Sequence, residues 1–243
     1  MNILVACEES QRVCEAFRKK GHNAFSCDII DCSGGHPEWH IKTDVLDILN
    51  PTTKFDWNDT IEFETMDGKS HTIEGRWDMI IAFPPCTHLA VSGARFFLQK
   101  RLDGRQRKAI EFFAQILRAD CDKIIIENPI GIISGDYIVK YFPDLSEKYG
   151  FPLKPTQIIH PWQFGDNYKK QTCLWEIGVP PLMPTVFIEP QTEYVEWIDK
   201  KTGKVKRQEK WHLDALKLPH EERAMVRSKT SIFVANAMAE QWG

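Results

Sequence analysis

The sequence predicts an α/β fold in which a mostly parallel sheet is flanked by helices. Three features lead to this expectation. Short apolar runs are typical of buried parallel strands, amphipathic segments of helical period separate these runs, and polar residues follow the strands where each one ends. Inserted β-hairpins and a small β-rich C-terminal region complete the predicted architecture.

The first strand and helix come at the start of the chain. Residues 2–7 (NILVAC) form a short apolar run suited to a buried parallel strand. Residues 10–21 (SQRVCEAFRKKG) then place Val13, Ala16 and Phe17 at helical spacing before a terminal glycine. A strand followed by a helix is therefore expected here.

The next segments each bring an acid to the predicted sheet. Residues 23–29 (NAFSCDI) predict a second strand that ends in an aspartate, and residues 42–49 (KTDVLDIL) place another acid before a short apolar segment. Residues 56–76 alternate around a Met-Asp-Gly-Lys turn. This pattern predicts an exposed hairpin inserted between core strands.

Two further strands enclose the longest predicted helix. Residues 77–83 (WDMIIAF) and 122–129 (DKIIIENP) are apolar runs typical of buried strands. Between them, residues 105–119 predict an amphipathic helix. Its apolar face consists of Ala109, Ile110, Phe112, Phe113, Ile116 and Leu117.

The chain changes character after residue 153. Residues 154–160 and 171–177 predict antiparallel strands, and residues 193–213 predict a second hairpin because they alternate on both sides of a Lys-Thr-Gly-Lys turn. Residues 219–243 open with a proline and two acids, which predicts a final amphipathic helix. Its apolar residues are Ile232, Val234, Ala235 and Met238.

Composition limits the class of protein. With 243 residues the chain has room for one α/β domain and a small appendage. No apolar run approaches the ~20 residues that cross a bilayer, and the N-terminus lacks the pattern of a secretion signal, so no membrane partner and a cytoplasmic location are expected. A formal net charge of −3 means that any nucleic-acid surface must be local. Three basic stretches could form such a surface, and each could also be an ordinary solvated face or turn. They are residues 99–108, 167–170 and 199–210.

The cysteines do not form a recognisable framework. There are seven of them, an odd number, without a C-x-x-C pair or a His/Cys quartet. This pattern argues against a disulfide scaffold and against a zinc site, and no metal is expected. Most of the cysteines fit the role of small buried apolar residues.

One cysteine differs from the rest by its position. In the segment AFPPCTHLAVSG, Cys86 stands directly behind Pro84 and Pro85 at the end of a predicted strand. The prolines preset the backbone there, and strand ends of this kind face the ligand crevice of an α/β sheet. Glu127 ends the next predicted core strand. A thiol and an acid at neighbouring strand tips indicate covalent catalysis, whereas the structural alternative is a buried cysteine and a Glu-Asn-Pro turn.

In this order and context, the Pro-Pro-Cys and Glu-Asn-Pro segments resemble the Pro-Pro-Cys nucleophile loop and the Glu-Asn-Val motif of the cytosine-C5 DNA methyltransferase family. The resemblance covers most of residues 1–177 and the last helix, and it is strongest to small, phage-type members with a reduced target-recognition region. It implies a Rossmann-like S-adenosylmethionine-dependent methyltransferase fold. Cys86 would add to cytosine C6, Glu127 would protonate N3, and Asn128 would support the motif, in which Pro129 replaces the usual valine.

The resemblance also implies where S-adenosylmethionine binds. An acid after the second strand, Asp28, would bind the ribose hydroxyls, and an acid after the third, Asp44, would lie near the adenine amine. Taken without the family, each aspartate fits a helix cap or a turn. The remaining implied contacts are Ile29, Val45, Phe83 and Pro84 for the donor, and Pro85 and Asn128 for the substrate.

Two segments depart from the family pattern. The family's first motif is rich in glycine, but this chain has VACEESQ in its place. Glu8 and Glu9 then either contact the ammonium group of the donor or charge the first turn of the helix. The segment NYKKQTCLW replaces a Gln-x-Arg-x-Arg strand, so Lys170, Gln171 or Thr172 is expected to contact the cytosine carbonyl.

The resemblance divides the chain into three parts. Residues 1–177 would form the catalytic domain, residues 178–218 a small hairpin region for substrate recognition, and residues 219–243 a helix that returns to the catalytic domain. A recognition region as small as residues 178–218 is consistent with three kinds of substrate. It could recognise a short DNA site, act on DNA with little sequence preference, or accept single-stranded DNA or a nucleotide. The basic turn of the hairpin favours contact with a nucleic acid, in which lysines pair with phosphates and aromatic rings stack on bases. The alternative is a hairpin that packs on the catalytic domain. Its aromatic residues are Tyr194, Trp197 and Trp211.

Two alternatives to DNA cytosine-C5 methylation stay open. The same chemistry would serve C5 modification of a free pyrimidine nucleotide, or transfer of a group other than methyl from a modified donor. Both are compatible with the absence of the family's glycine-rich first motif, which contacts the donor. The second alternative is an inactive relative that binds DNA or a nucleotide. Retention of both Cys86 and Glu127 speaks against inactivity.

Overall fold

The structure, a computed structural model, describes residues 1–50, 59–219 and 229–243. The strands of this part of the chain are β1 (Asn2–Ala6), β2 (Asn23–Asp28), β3 (His40–Lys42), β4 (Thr60–Glu64), β5 (Ser70–Glu74), β6 (Met79–Ala82), β7 (Ile124–Pro129), β8 (Gln157–Ile159), β9 (Thr172–Ile177), β10 (Tyr194–Ile198) and β11 (Val205–Glu209). Its helices are α1 (Arg12–Lys19), α2 (Phe97–Leu102), α3 (Arg105–Leu117), α4 (Tyr137–Tyr141), α5 (Pro143–Tyr149), α6 (Lys210–Leu216) and α7 (Ile232–Trp242). None of these described helices combines the length and the apolar character needed to span a membrane.

Seven strands form one sheet in the order β3-β2-β1-β6-β7-β9-β8. The first five strands of this order are parallel, and β9 runs antiparallel to both β7 and β8. The predicted α/β class with a mostly parallel sheet is confirmed, and the arrangement is compatible with a Rossmann-like fold. The strand order reverses between β1 and β6, and the carboxyl ends of strands at such a switch point border the ligand crevice.

Both faces of the sheet are covered, which explains why its central strands are continuously apolar. Leu4, Ile80 and Ile126 lie in the main core on one face, where α3 packs. Val5 and Ile81 lie in a second core on the opposite face, together with side chains of α1 and α7. The carboxyl ends of the central strands are therefore held in place by packing on both faces of the sheet.

The predicted hairpin before β6 is confirmed as β4 and β5, although residues 56–58 of its range lie outside the described residues. The expectation that it is exposed is wrong. Ile61 and Phe63 are buried, and the Phe63 ring centre lies 4.9 Å from that of Phe25 and 5.7 Å from that of Trp77. The alternation that marks a hairpin also creates an apolar face, and here that face covers the main core.

The predicted C-terminal strands are also confirmed. β8 and β9 pair antiparallel, and β10 and β11 form the second hairpin. The hairpin ends earlier than residue 213, because α6 begins at Lys210. Trp211 therefore lies on a helix and not on the hairpin strand where the sequence placed it.

The final helix begins at Ile232. The predicted beginning after Pro219 falls on residues 220–228, which lie outside the described residues. Ile232 was expected on the apolar face but is 55% exposed. The buried residues of the helix include Val234, Ala235 and Met238, which share the second core with α1.

Candidate active site

The predicted nucleophile and acid lie at the ends of neighbouring strands. β6 and β7 pair in parallel, with Ala82 opposite Ile126. One residue further along each strand, Phe83 is level with Glu127. The loop that follows β6, which carries Cys86, therefore stands beside the acid at the carboxyl edge of the sheet.

Residues 84–91 and 128–132 contact each other at what we call the loop junction. Asn128 Nδ2 donates a hydrogen bond to the Pro84 carbonyl at 2.7 Å. Asn128 is 1% exposed, and its Oδ1 has no hydrogen-bond partner within the described parts of the chain. The sequence predicts that this side chain contacts the substrate, but its amide nitrogen holds the loop of residues 84–91, which carries Cys86.

Gly131 permits the closest part of the loop junction. The Val91 N–H donates to the Ile130 carbonyl at 3.1 Å, and the Ile132 N–H donates to the Leu89 carbonyl at 2.9 Å. A Cβ atom on Gly131 would lie 2.5 Å from that same Leu89 oxygen. Because real Cβ atoms do not approach a backbone oxygen so closely, the two loops can meet here only at a glycine.

Cys86 begins a short 3-10 turn, Cys86–His88, at the tip of the loop. Its carbonyl accepts the Leu89 N–H at 3.0 Å, which closes the turn. Pro84 is buried and Pro85 is exposed, while Cys86 is partly exposed and forms no disulfide. The thiol is thus mounted on a stiff turn without being sealed inside apolar packing.

A buried polar network supports this turn from behind. Lys100 Nζ donates to the Thr87 carbonyl at 2.5 Å. Gln106 Nε2 donates to the His88 carbonyl at 3.2 Å, and the Tyr137 hydroxyl donates to Gln106 Oε1 at 3.0 Å. Lys100 is 7% exposed and Gln106 is fully buried, so the network fixes the nucleophile turn from the protein interior.

Sequence reasoning missed this network. Lys100 belongs to residues 99–108, a stretch expected to be basic surface, but its side chain lies in the interior. A signal was present for Gln106, which shares a face of α3 with Ile110 and Phe113 by helical spacing. A polar residue on an otherwise apolar helical face indicates a buried hydrogen-bonding role.

Glu127 is a partly buried acid whose surroundings favour its protonated form. Burial is the largest effect and raises the pKa of the carboxyl group, whereas the Lys170 ammonium and a hydrogen bond with Thr172 oppose the rise without cancelling it. A cavity of about 30 Å³ adjoins the carboxyl group, and Tyr168, Lys170 and Thr172 help to line it. Such an acid keeps its proton to a higher pH than an exposed glutamate, as a general acid must.

Two of the three residues predicted to contact the base lie beside Glu127. Lys170 and Thr172 line the cavity, and Thr172 is 4% exposed. Gln171 between them is exposed and is not among the lining residues. This difference follows from extended backbone, in which successive side chains point to opposite sides.

The carboxyl ends of β1, β2 and β3 bring one cysteine and two acids together. Burial raises the pKa of Cys7, and the negative charges of Asp28 and Asp44 raise it further, so both carboxylates lie near this thiol. Asp28 is partly buried, and burial raises its own pKa. Asp44 is exposed and accepts the Leu46 N–H at 3.0 Å, so it also has the turn-capping role that the sequence left open.

The turn after β1 forms without glycine. Cys7 and Gln11 each have a φ angle of 58°, in the left-handed region that glycine adopts at lower cost. Gln11 Oε1 accepts the His36 N–H at 3.0 Å, and its Nε2 donates to the His36 carbonyl at 2.8 Å. These bonds to a neighbouring loop hold the turn in a shape that its own residues disfavour.

Glu8 closes the N-terminus of α1. Its carboxylate accepts the Val13 N–H at 2.7 Å and the Cys14 N–H at 3.2 Å, and burial raises its pKa to about 7 despite these bonds. Of the two roles open for Glu8 from the sequence, the structure shows the one at the helix. The Ser33 hydroxyl donates to the Glu9 carboxylate. A phosphate group would have to displace Glu8 to reach this helix end.

The apolar residues expected around the donor differ in exposure. Ile29 is 70% exposed at the end of β2. Val45 is 3% exposed and packs in the main core, so Ile29 provides the apolar surface of this edge and Val45 does not. Phe83 is partly buried against the second core, and Pro84 is buried.

The hairpin β10–β11 is anchored beside the cavity and projects into solvent. The ring of Tyr168, which lines the cavity, lies 4.9 Å from the ring of Trp211. The Lys169 N–H donates to the Glu209 carboxylate at 3.3 Å. Further from this anchor, Trp197 is exposed, and so is most of both strands. The hairpin thus contacts the rest of the protein at its base, while most of its two strands stay exposed.

No protein-family model matches the chain, and no curated protein is similar enough to it to count as a match.

Proposed function

We propose that the protein transfers a methyl group from S-adenosylmethionine to C5 of cytosine in DNA. The observation that carries the proposal is the loop junction, which fixes a partly exposed cysteine turn beside the strand end of Glu127, an acid whose pKa is raised by burial. A thiol and a carboxylic acid at adjacent strand ends suit attack on a pyrimidine ring together with protonation of that ring.

In this reaction the Cys86 thiolate forms a sulfur–carbon bond with cytosine C6, while Glu127 donates its proton to N3. The electron pair of the C5–C6 double bond moves to the C4–C5 position and the pair of the C4–N3 double bond moves to N3, which takes the proton, so that C5 becomes nucleophilic. C5 then takes the methyl group while the bond between this methyl and the donor sulfur breaks and the sulfur keeps the electron pair, and a water molecule or hydroxide from solvent removes the C5 proton. The C5–C6 double bond forms again, the Cys86 thiolate leaves, and the N3 proton returns to Glu127.

The edge formed by β1, β2 and β3 fits the proposed donor. When bound, S-adenosylmethionine supplies an electrophilic methyl group on a positively charged sulfur. Asp28 and Asp44 would bind its ribose hydroxyls and adenine amine, and Ile29 offers exposed apolar surface. The carboxylates of Glu9, Asp28 and Asp44 favour a cationic ligand. Glu8 at the start of α1 disfavours the phosphates of a dinucleotide.

The hairpin supports DNA as the substrate. Lys200, Lys201 and Lys204 lie at its exposed turn, although the whole chain carries a net negative charge. Trp197 and Ile198 on β10 are also exposed. Lysines that pair with phosphates and an exposed ring are the usual elements of a nucleic-acid surface, and this one is anchored next to the Glu127 cavity.

Trapping of a covalent adduct tests the proposal. The protein is incubated with S-adenosylmethionine and with 5-fluorocytosine in duplex DNA, in single-stranded DNA or as the free deoxynucleotide. Fluorine at C5 cannot leave as a proton, so the last step is blocked and the protein stays bound to the ring. Intact mass spectrometry then detects the adduct and gives the mass of the transferred group.

The outcomes separate the hypotheses. A methylated adduct with DNA that is absent from Cys86→Ser supports the proposal. An adduct with the free nucleotide only would assign nucleotide modification instead, and a mass increase other than that of methyl would assign a different donor. Equal behaviour of the wild type and Cys86→Ser with all three substrates would refute covalent catalysis by this thiol.

A further inference from the structure

Lys100 is a buried lysine directly behind the nucleophile turn. It lies on α2, it is 7% exposed, and its Nζ donates to the carbonyl of Thr87, the residue after Cys86. A Cβ atom added to Gly93 would lie 3.0 Å from the same Nζ, so the segment between the Cys86–His88 turn and α2 also closes over the ammonium group. Burial of an ammonium group costs free energy, and a compensating interaction is expected.

Cys86 is part of that compensation. Burial lowers the pKa of Lys100 most and the charge of Arg105 lowers it further, whereas a negative charge on Cys86 raises it, and the Asp103 carboxylate raises it to a smaller extent. Electrostatic interaction between two groups is reciprocal, so an ammonium group that is stabilised by a thiolate also stabilises the thiolate. Nearby cations are a known means of favouring the reactive form of a cysteine.

The other charged groups around Lys100 act less on it than Cys86 or are neutralised by a partner. Asp103 follows α2 and Arg105 begins α3, and the Asp103 carboxylate, which also raises the pKa of Lys100, is paired with Arg105 at 2.5 Å. His88 on the turn that carries Cys86 has a pKa that is lowered mainly by burial, which favours its neutral form. Glu127 on the neighbouring strand end has a raised pKa.

We propose that Lys100 is a positioning residue that holds the nucleophile turn through the Thr87 carbonyl and supplies the positive charge that keeps Cys86 in its thiolate form. The proposal rests on the proposed function, in which the thiolate is the attacking group. It assigns a role to a residue that never touches the cytosine or the donor. The two parts of the role, the hydrogen bond and the charge, are separable by substitution.

The test measures the alkylation rate of Cys86 by iodoacetamide as a function of pH, without DNA or donor. Peptide mass spectrometry follows Cys86, and Cys32, which is also partly exposed, serves as an internal reference. Lys100→Gln keeps a hydrogen-bond donor but removes the charge, and Lys100→Arg keeps both. Lys108→Gln is a matched control, since Lys108 is an exposed lysine on α3, the helix that also carries Gln106.

We expect the midpoint of Cys86 alkylation in the wild type to lie below about 8.5, the value of an ordinary thiol. In Lys100→Gln it should rise by about 1 unit, which corresponds to a roughly tenfold slower reaction at neutral pH. Lys100→Arg and Lys108→Gln should keep the profile of the wild type.

Two results would overturn the proposal. The first is a midpoint for the wild type at or above that of an ordinary thiol, a measurement that needs no variant to fold. The second is an unchanged profile in Lys100→Gln, or the same shift in Lys100→Arg as in Lys100→Gln. Because alkylation needs no cytosine, these results stand whether or not the adduct experiment supports methyl transfer.

Discussion

At the scale of single residues, the cysteines show how position separates packing from chemistry. Four of the seven are buried, as most were expected to be, and three are partly exposed. Cys7 lies between acids that disfavour its thiolate, and Cys32 lies in a surface loop. Cys86 combines partial exposure with a proline-stiffened turn and a lysine behind it. Only this thiol has surroundings that suit a nucleophile.

Replacement of Glu127 tests the proposed acid. Glu127→Gln keeps the size of the side chain but cannot give a proton to N3, so we expect turnover to fall by about 10²- to 10⁴-fold with little change in DNA affinity. Single-turnover methylation assays and equilibrium binding measure the two quantities. Turnover equal to that of the wild type would remove Glu127 from the mechanism.

The raised pKa of Glu127 also predicts a pH dependence. The protonated form is the active one, so the methylation rate should fall as the pH rises through the pKa of this carboxyl group in the folded protein. In Glu127→Gln the remaining activity should lose this dependence. A pH–rate profile of both proteins measures the effect, and parallel profiles would contradict it.

Glu8 predicts a pH dependence of stability. Its pKa is about 7 in the folded protein and near 4.5 in an unfolded chain, so the folded state holds the proton more strongly. Stability from this group is full below pH 4.5 and is lost as the pH rises to about 7. We expect the stability of the wild type relative to Glu8→Gln to fall by up to about 3 kcal/mol across this range. Urea unfolding at several pH values checks this, and a constant difference would contradict it.

At the scale of secondary-structure elements, the loop junction joins two segments that are distant in the sequence. Gly131→Ala would place a Cβ atom 2.5 Å from the Leu89 carbonyl oxygen, so the two loops must separate. We expect a loss of stability of about 1–3 kcal/mol. We also expect kcat to fall at least about tenfold, because the nucleophile moves relative to the acid. Thermal unfolding and methylation assays measure the two effects.

Gly135→Ala is the matched control for this prediction. No atom lies within 4 Å of a Cβ added at Gly135, and its φ angle is not in the left-handed region. Its stability should stay within about 0.5 kcal/mol of the wild type, with unchanged kcat. Equal effects of the two substitutions would show that the loop junction has no special role.

The elements that the sequence predicted correctly are those with a strong periodic pattern. The apolar run at residues 2–7 and the helical period at residues 105–119 predict their elements directly. The alternation at residues 193–213 predicts the second hairpin, although from Lys210 onward this range forms α6. The burial of β4 and β5 was missed because alternation reveals an apolar face but not what covers it. Lys100 was missed for a similar reason, since only the tertiary position of the loop before α2, which contains Thr87 and Gly93, decides that this lysine is interior.

At the scale of the whole molecule, charge is distributed unevenly. The edge at β1, β2 and β3 carries carboxylates, whereas the turn of the second hairpin carries lysines. The chain as a whole carries a net charge of −3, so the proposed binding to DNA would depend on local contacts and not on long-range attraction. The separation suits a molecule that binds a cationic donor at one place and a polyanion at another.

Neutralisation of the hairpin turn tests this arrangement. Replacement of Lys200, Lys201 and Lys204 by glutamine should weaken DNA binding and reduce the salt dependence of log K by about one for each lysine that contacts a phosphate. Fluorescence anisotropy at several salt concentrations measures both quantities.

The same number of exposed charges elsewhere provides the control. Glutamine at Lys19, Lys108 and Lys140, which lie on α1, α3 and α4, should leave the salt dependence unchanged. Equal salt slopes for the hairpin variant and the wild type would exclude the hairpin from DNA contact, whatever the outcome of the adduct experiment.

The reversed direction of β9 has an evolutionary consequence. Because β9 runs against β7, its first residue, Thr172, lies at the end of β7 where the chemistry is expected, and the connection from β8 arrives at that same place. This connection and the second hairpin can therefore lengthen, shorten or be exchanged between lineages while the nucleophile turn is inherited intact. New substrate specificities would then arise by changes in the β8–β9 connection and the second hairpin, while the sheet and the turn that carries Cys86 stay the same.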